Sequence, residues 1–232
     1  MPRAGSATTG PGPPRPTGGT CAHRTSPTST WPEATVSTLP FSQACENNRE
    51  PILAVLREAF ADRTAVLEIG AGTGQHATAF APAMPWLRWQ PTEHPDALAV
   101  LEPRCRACPA PNLEAPRALD VCDRPWPVPV PDGVFTANTL HIMPWAATEA
   151  LFEALAGAAA GTLLAVYGPF NYGGRYTSES NAQFDQWLAA RSPHSAIRDF
   201  EAVDRVAVGA GFALAADHAM PANNRLLLWR RG

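Results

Sequence analysis

The sequence lacks any block of Lys or Arg residues, and its formal net charge is only −3 over 232 residues. Nucleic-acid-binding proteins usually show a basic patch, because they must hold a chain of phosphates. The missing patch therefore argues against a nucleic-acid partner. The hydrophobic fraction of 45% is enough to build the core of one globular domain. The expected partner is a small-molecule substrate.

Long apolar runs and a disulfide framework are missing as well. No apolar segment reaches the roughly 18 to 20 residues that are needed to span a bilayer, so we expect a soluble protein with no membrane contact. The five cysteines form an odd set without a secretory signal, which favours a reducing compartment and a cytoplasmic location. Cys105 and Cys108 have C-x-x-C spacing, but no second pair completes a zinc site, so no metal is expected.

Residues 1–35 have few apolar side chains that could be buried in a core. Pro, Gly, Ser, Thr and Ala dominate this stretch, and no acidic residue precedes Glu33. Such a composition cannot offset the entropy that ordering costs, which predicts a disordered extension or an overextended start. An organelle transit peptide is the weaker alternative. We therefore expect one folded domain over residues 36–232.

Apolar strand-like runs alternate with helical stretches after a leading helix over residues 41–60, for which Ser42 is a plausible N-cap. The runs fall at residues 65–70, 87–93, 117–121, 133–138, 162–168, 212–220 and 224–231. This alternation is typical of a parallel sheet that is covered by helices on both faces. The last two runs are separated by only PAN, which is too short for a parallel crossover. The sequence predicts a doubly wound, seven-stranded Rossmann-like α/β sheet whose last strand is antiparallel.

The first strand runs into a glycine turn, Gly70-Ala71-Gly72-Thr73-Gly74, at the position where open α/β sheets bind ligands. A dinucleotide fingerprint requires Gly or Ala at the sixth position of this motif, and the residue there is Gln75. A P-loop requires Lys and then Ser or Thr after its last glycine, but Gln75-His76 follows. The turn therefore fits NAD poorly and excludes nucleoside triphosphates.

Glu68, two residues before the turn, favours a ligand without phosphate. A carboxylate at this position would repel a diphosphate and would attract a positively charged ligand. S-Adenosylmethionine carries a sulfonium and an ammonium group and has no phosphate. We predict that Glu68 and the turn from Gly70 to Gly74 hold its methionine and ribose portions. The alternative is that the glycines only allow a helix to pack closely on the sheet.

Polar residues at the ends of the next strands complete the predicted cofactor site. Glu93 ends the second strand, where a carboxylate can accept hydrogen bonds from a ribose diol, and Asp96 is the competing candidate. Asp120 and the backbone N–H of Val121 lie at the end of the third strand and could bind adenine, although Asp120 is equally suited to capping a loop. Asn138 follows the fourth strand, below the expected position of methyl transfer.

In this order, the motifs resemble those of class I S-adenosylmethionine-dependent methyltransferases. A closer resemblance, from about residue 41 to residue 231, is to the methyltransferase-like protein 26 family, a little-characterised group that is also described as a domain of unknown function. It rests on the segments FSQACENNREPIL, VLEIGAGTGQHA, WQPTEHP, LDVCDRPWP, NTLHIMPW, YGPFNYGGRYTSESNAQFDQWL and RDFEAVD. The resemblance implies strand order 3-2-1-4-5-7-6 with strand 7 antiparallel, and it implies no particular acceptor.

Methyl transfer requires alignment and desolvation more than proton chemistry, so few catalytic groups are expected. His141 is the leading general-base candidate, and a purely structural histidine is the alternative. The polar, aromatic segment after the fifth strand is longer than a typical connection and predicts a substrate lid. The lid residues would be Tyr167, Asn171, Tyr172, Arg175 and Tyr176, of which Tyr167 and Asn171 are further catalytic candidates.

Five other residues near the predicted site are interpreted as structural. Phe184 and Trp187 have the helical spacing of core contacts. Asn47, Asn48 and Arg49 of the leading helix could close over the cofactor, but a position on the helix surface is the simpler interpretation.

Several functions stay open at this point. A small-molecule methyltransferase is the first, because no N-P-P-Y-like tetrapeptide follows the fourth strand to indicate methylation of base or amide nitrogens. A protein acceptor is not eliminated. The second is a non-catalytic S-adenosylmethionine-binding protein that acts as a partner or regulator, and the third is an NAD-dependent oxidoreductase. The acceptor atom and the oligomeric state do not follow from the sequence.

Overall fold

The computed structural model describes residues 39–232. The predicted disordered extension, residues 1–35, lies outside the described residues, as does the domain boundary expected at residue 36. Among the residues that are described, no helix is both long enough and apolar enough to cross a membrane.

Within this part of the chain, eight strands form one sheet. They are β1 (Ala65–Ile69), β2 (Arg88–Glu93), β3 (Arg117–Ala118), β4 (Gly133–Ala137), β5 (Leu163–Asn171), β6 (Arg198–Asp199), β7 (Phe212–Met220) and β8 (Asn224–Arg231). The order is β3-β2-β1-β4-β5-β8-β7, and β6 pairs with the end of β5. β8 is antiparallel to both β5 and β7, whereas β1 to β6 pair in parallel. The predicted sheet with an antiparallel last strand is confirmed.

Six α-helices lie between or before the strands of the described region. They are α1 (Gln43–Ala59), α2 (Gln75–Ala83), α3 (Leu98–Ala107), α4 (Trp145–Leu155), α5 (Glu179–Arg191) and α6 (Phe200–Gly209). α1 begins where the sequence predicts, because the Ser42 hydroxyl oxygen accepts a hydrogen bond from the Cys45 N–H at 3.4 Å.

The helices cover both faces of the sheet because successive strand residues point to opposite faces. Val66 of β1 lies on one face and belongs to the same buried cluster as Ile52 of α1 and residues of α2 and α3. Leu67 lies on the other face, in a cluster with Leu151 of α4 and Val203 of α6. Each fully buried side chain of this size contributes about 1.5–3 kcal/mol. The two clusters make the fold doubly wound.

One aspartate aligns the beginnings of β1 and β4. Asp132, just before β4, accepts hydrogen bonds from the backbone N–H and the hydroxyl of Thr64 at 2.8 and 3.0 Å. Its other carboxylate oxygen accepts one from the Ala65 N–H at 3.0 Å. With the starts of the two strands fixed and their directions parallel, their carboxyl ends open at the same edge of the sheet.

Three segments differ from the predicted elements. β3 is shorter than residues 117–121, because Asp120 turns the chain by accepting a hydrogen bond from the Cys122 N–H at 2.8 Å. β5 continues to Asn171 instead of ending at residue 168, and it pairs with β8 as far as Pro169. β6 has two residues, too few for any sequence period to predict.

Candidate functional site

The turn between β1 and α2 contains three glycines with different roles. Gly70, Gly72 and Gly74 all have positive φ, at 70°, 57° and 76°. A Cβ on Gly70 would lie 2.8 Å from the Thr139 hydroxyl oxygen, and one on Gly74 would lie 2.8 Å from a methyl group of Leu101. No atom lies within 4 Å of a Cβ built on Gly72. Two glycines therefore allow close packing, and the third leaves open space.

A cavity of about 1400 Å³ lies along the carboxyl ends of the parallel strands and includes the space beside Gly72. Its walls include the glycine turn, the segments after β2, β3 and β4, part of β5, the β7–β8 connection, and the helices α1 and α5. Of the residues predicted to bind the cofactor, those that line it are Gly70, Ala71, Gly72, Thr73, Glu93, Asp120, Val121 and Asn138. Gly74, which was also predicted to bind the cofactor, does not line the cavity because it packs against Leu101. The predicted catalytic residues His141 and Tyr167 line it as well.

Glu93 is fixed beside the glycine turn by backbone donors. One oxygen of its carboxylate accepts a hydrogen bond from the Gly72 N–H at 2.6 Å, and the other accepts one from the His94 N–H at 2.8 Å. A carboxylate oxygen has two lone pairs, so both oxygens can still accept a further hydrogen bond from a ligand. The competing candidate, Asp96, is fully exposed on a 3₁₀ turn and does not line the cavity.

At the edge of the cavity beyond β3, Asp120 caps a turn and also lies near a histidine ring. One oxygen of Asp120 caps the turn through the Cys122 N–H, and the other lies 3.5 Å from Nε2 of His94. Asp120 is therefore a loop cap and also a cavity residue, so the two roles inferred from the sequence are compatible. Val121 follows it on the cavity wall.

Asn138 and His141 come together beyond β4 because the chain bends sharply there. Asn138 has a positive φ of 57°, which asparagine tolerates better than most residues, and its N–H donates to the Tyr167 carbonyl at 2.8 Å. A Cβ on Gly168 of β5 would lie 3.5 Å from Nδ1 of His141 and 4.0 Å from the Asn138 side-chain oxygen. Both side chains therefore lie within van der Waals distance of position 168 on β5.

His141 is buried, with 5% of its surface exposed, and its ring meets Phe184 edge to face at 5.5 Å. Burial, and secondarily the positive charge of Arg198, lower the pKa of His141 to about 4. The imidazole is therefore neutral at pH 7. Its segment is held by the chain before β6, because the Ala196 N–H donates to the His141 carbonyl and the Ser195 hydroxyl donates to the Ile142 carbonyl.

Glu68 does not line the cavity, which corrects its predicted contact with the ligand. It points into the face of the sheet covered by α1 and α2, is 1% exposed, and accepts a hydrogen bond from the Trp89 indole N–H at 2.6 Å. Burial, and to a lesser extent the negative charge of Glu93, raise the pKa of Glu68 to about 8. Its carboxyl group is thus mostly neutral at pH 7 and cannot supply the attraction inferred from the sequence.

Asn171 also lies outside the cavity, which corrects its placement among the catalytic candidates. It ends β5 and pairs with Asp199 of β6. Its side-chain oxygen is buried and has no hydrogen-bond partner among the described residues. The extension of β5 carries Asn171 beyond the cavity wall, and Tyr167 is the member of the proposed lid that remains on that wall.

The rest of the proposed lid is tied to other parts of the fold. The Tyr172 hydroxyl donates to Asp217 at 2.8 Å, and its ring stacks on Phe200 at 5.2 Å. The Tyr176 hydroxyl donates to a carboxylate of α5, and Arg175 pairs with the Tyr172 backbone across a tight turn. These contacts hold the segment against α6 and β7, so it does not form a lid over the cavity.

Two helices contribute cavity residues that the sequence interpretation assigned to structural roles. Asn48 of α1 is buried and its side-chain oxygen lies 2.7 Å from Nε2 of His76, on α2. Burial lowers the pKa of His76 to about 4. Phe184 and Trp187 of α5 line the opposite part of the cavity. For α1, the pair of adjacent asparagines in an otherwise amphipathic helix was the sequence signal of a cavity wall. For α5 there was no such signal, because apolar residues at helical spacing can either line a cavity or pack in a core.

The cysteines do not form a metal centre in the described residues. Cys45, Cys105, Cys108 and Cys122 are free thiols, and burial raises the pKa of Cys105 to about 12. No group of three or more His, Cys, Asp or Glu side chains within residues 39–232 is arranged to hold a metal ion.

The sequence model of one protein family matches residues 39–231, and that family is described as "Protein of unknown function (DUF938)". Similar solved structures include an O-methyltransferase family protein from Burkholderia thailandensis, with a TM-score of 0.69 and 19% identity over 79% of this chain and 56% of that chain. SibL, described as an S-adenosylmethionine-dependent methyltransferase in its apo form, has a TM-score of 0.68 and 23% identity over 81% of this chain and 55% of that one.

Human N-acetylserotonin methyltransferase in complex with SAM is similar at a TM-score of 0.63 and 14% identity, over 79% of this chain and 56% of that chain. The chain thus spans little more than half the length of these proteins. At such low identities, the likeness establishes the Rossmann-like methyltransferase fold.

Proposed function

We propose that this chain, which belongs to the DUF938 family of proteins of unknown function, is an S-adenosylmethionine-dependent methyltransferase that acts on a small molecule. The observation that carries the proposal is the cavity at the carboxyl edge of the sheet. It brings together open space at Gly72, a fixed carboxylate at Glu93 and a second carboxylate at Asp120. The same cavity extends past His141 to an apolar wall on α5, which leaves room for an acceptor.

The residues present fit this cofactor. The space that a side chain would occupy at Gly72 is empty, so a ligand can approach the backbone of the turn. Glu93 retains lone pairs that suit a ribose diol, and Asp120 with the Val121 backbone N–H suits an adenine amino group and ring nitrogen. Gly70, Ala71, Thr73 and Asn138 would complete the wall around the methionine portion.

Charge supports the same choice of cofactor. The Glu and Asp side chains that line the cavity are Glu93 and Asp120, and both lie at the β2–β3 side. Two carboxylates disfavour a diphosphate and favour a ligand with net positive charge. These two carboxylates, rather than Glu68, would attract the positively charged cofactor. When bound, S-adenosylmethionine supplies a methyl group activated by a positively charged sulfur.

The chain's own residues would then align and activate the acceptor. The neutral imidazole of His141 can accept a proton from an acceptor hydroxyl, although its lowered pKa makes it a weak base that acts only as the proton becomes acidic during attack. α1 and α5 enclose the cavity from two sides and limit the access of water. Burial also raises the pKa of the Tyr167 hydroxyl, so Tyr167 is a hydrogen-bond donor at neutral pH rather than a base.

The proposal has three further parts. The chain resembles the methyltransferase-like protein 26 family, its acceptor is a small molecule rather than a nucleic acid or membrane component, and its location is cytoplasmic. The non-catalytic alternative predicts cofactor binding without turnover, and the oxidoreductase alternative predicts NAD binding.

Calorimetric titration with S-adenosylmethionine, S-adenosylhomocysteine and NAD tests the proposed cofactor directly. We expect the two sulfur compounds to bind with dissociation constants on the order of micromolar, because the cavity offers fixed polar groups at several separate points. NAD is the matched control, since it shares the adenosine but adds a diphosphate. Binding of NAD alone, or of none of the three, would overturn the proposal.

His141→Ala is expected to lower kcat by roughly a hundredfold with a hydroxyl acceptor, the scale of general-base catalysis. The acceptor would come from a screen of phenols of graded acidity, with product formation as the readout. The loss should shrink for phenols that are already ionised at the assay pH, because they need no base. His218→Ala, on the edge strand β7, is the control. An equal loss with every phenol would indicate a structural role for His141.

A further inference from the structure

One face of α5 forms a wall of the cavity instead of packing into the core. Phe184, Trp187, Leu188 and Arg191 follow one another at helical spacing, and all four line the cavity. Trp187 has 51% of its surface exposed, and Ile142, on the segment after β4, has 57% exposed. Large apolar side chains that are exposed together in a cavity mark a binding surface.

The aromatic side chains of this wall form a continuous series. The His141 ring meets Phe184 edge to face at 5.5 Å, and Phe184 stacks on Trp187 at 5.7 Å with 18° between the ring planes. The guanidinium of Arg191 lies over the Trp187 ring, 4.3 Å from its centroid. The series runs from a buried imidazole to an exposed cation.

Charge in the cavity is divided between its two sides. The two carboxylates lie on one side, with Glu93 as the last residue of β2 and Asp120 just after β3. In contrast, α5 follows β5 on the other side of β1 and β4. The chain contains no lysine, and Arg191 is the arginine among the residues that line the cavity. No carboxylate within residues 39–232 forms an ion pair with it. Its guanidinium is therefore available to an anionic ligand.

We infer that this wall is the acceptor subsite and that it binds a planar aromatic compound bearing a carboxylate. The inference rests on the proposed function, because it takes the β2–β3 side as the cofactor end. The ring would pack against the edge of the Phe184–Trp187 stack, the carboxylate would pair with Arg191, and a hydroxyl on the far end of the ring would face His141. Phe184 and Arg191 are seven positions apart on α5, a rise of about 10 Å, which is comparable to the length of a hydroxycinnamate.

The test compares 4-hydroxycinnamate with its methyl ester, which keeps the ring and removes the charge. Both are titrated into the protein with and without saturating S-adenosylhomocysteine. The acid is expected to bind about tenfold more tightly than the ester, the scale of a charge-assisted hydrogen bond. Arg191→Gln should abolish this preference, measured as the ratio of the two dissociation constants. Arg205→Gln, an exposed arginine of α6 outside the cavity, should retain the preference. Trp187→Leu should weaken both compounds.

The outcomes separate this inference from the proposed function. Binding of S-adenosylhomocysteine together with a preference that survives Arg191→Gln overturns the acceptor subsite alone. Absence of 4-hydroxycinnamate binding to the unaltered protein overturns it as well. If S-adenosylhomocysteine fails to bind while the acid shows an Arg191-dependent preference, the proposed cofactor is wrong and the aromatic carboxylate site stands. Circular dichroism of each variant verifies that the fold is retained.

Discussion

Gly72→Val is expected to weaken the binding of S-adenosylmethionine by roughly a hundredfold, toward the upper end of the cost of overfilling a packed site. The reason is the position of Gly72, where a new side chain would enter the cavity without meeting any protein atom within 4 Å at its Cβ. The space that it would occupy is the space proposed for the ligand. Calorimetric titration of the variant measures the loss.

Gly174→Val is the matched control for this prediction. Gly174 has a φ of 69°, close to the 57° of Gly72, and its Cβ would also meet no atom within 4 Å, but it lies outside the cavity. Both valines carry the same backbone strain, about 1–2 kcal/mol for an L-residue in the left-handed region. The two variants should therefore unfold at similar denaturant concentrations while only Gly72→Val loses binding. Equal affinities in the two variants would remove Gly72 from the cofactor site.

Glu68→Gln is expected to stabilise the protein at neutral and alkaline pH and to have little effect in acid. The pKa of Glu68 is raised from about 4.5 to about 8 in the folded protein. Between these values the folded state holds a proton that the unfolded state has released, so the free energy of unfolding falls as the pH rises. Glutamine stays neutral, still accepts the hydrogen bond from Trp89, and avoids this loss. The gain is up to roughly 3 kcal/mol at pH 7.

Urea unfolding at pH 5, 7 and 8.5 would measure this difference. The gain of Glu68→Gln over the unaltered protein should increase from the first pH to the last. Glu58→Gln, at an exposed position of α1, is the control and should show no such trend. A gain that is independent of pH would mean that the Glu68 carboxyl is already ionised in the folded protein, and that glutamine acts through packing alone.

The sheet was largely predictable because its strands are either continuous apolar runs or flank a three-residue connection. The connection Pro221-Ala222-Asn223 is too short for a parallel crossover, so it predicted that β8 is antiparallel to β7. The apolar run before Gly70 predicted β1. The length of β5 was not predictable, because Gly168-Pro169 normally interrupts a strand. Here β8 pairs with β5 as far as Pro169, and β6 then pairs with its last two residues, so tertiary contacts overrode the local signal.

The glycine turn and the polar residues after β2, β3 and β4 could be placed from the sequence because topology brings all of these strand ends to one edge. The sequence could not reveal the direction in which Glu68 points, since every residue of β1 is buried and alternation gives no cue. It also could not separate the cavity wall on α5 from a core face. Both are apolar at helical spacing, and the difference depends on whether a neighbouring element fills the space opposite Trp187.

The place of β8 in the sheet also affects how quickly the chain can fold. Leu164 of β5 pairs with Trp229 of β8. About sixty residues of chain separate the two, so the strands must be brought together from a long sequence distance before they pair. Until then, β5 has an open edge of apolar residues from Leu163 to Val166. Such an edge is a template for pairing with other chains. In the folded protein, pairing with β8 covers this edge.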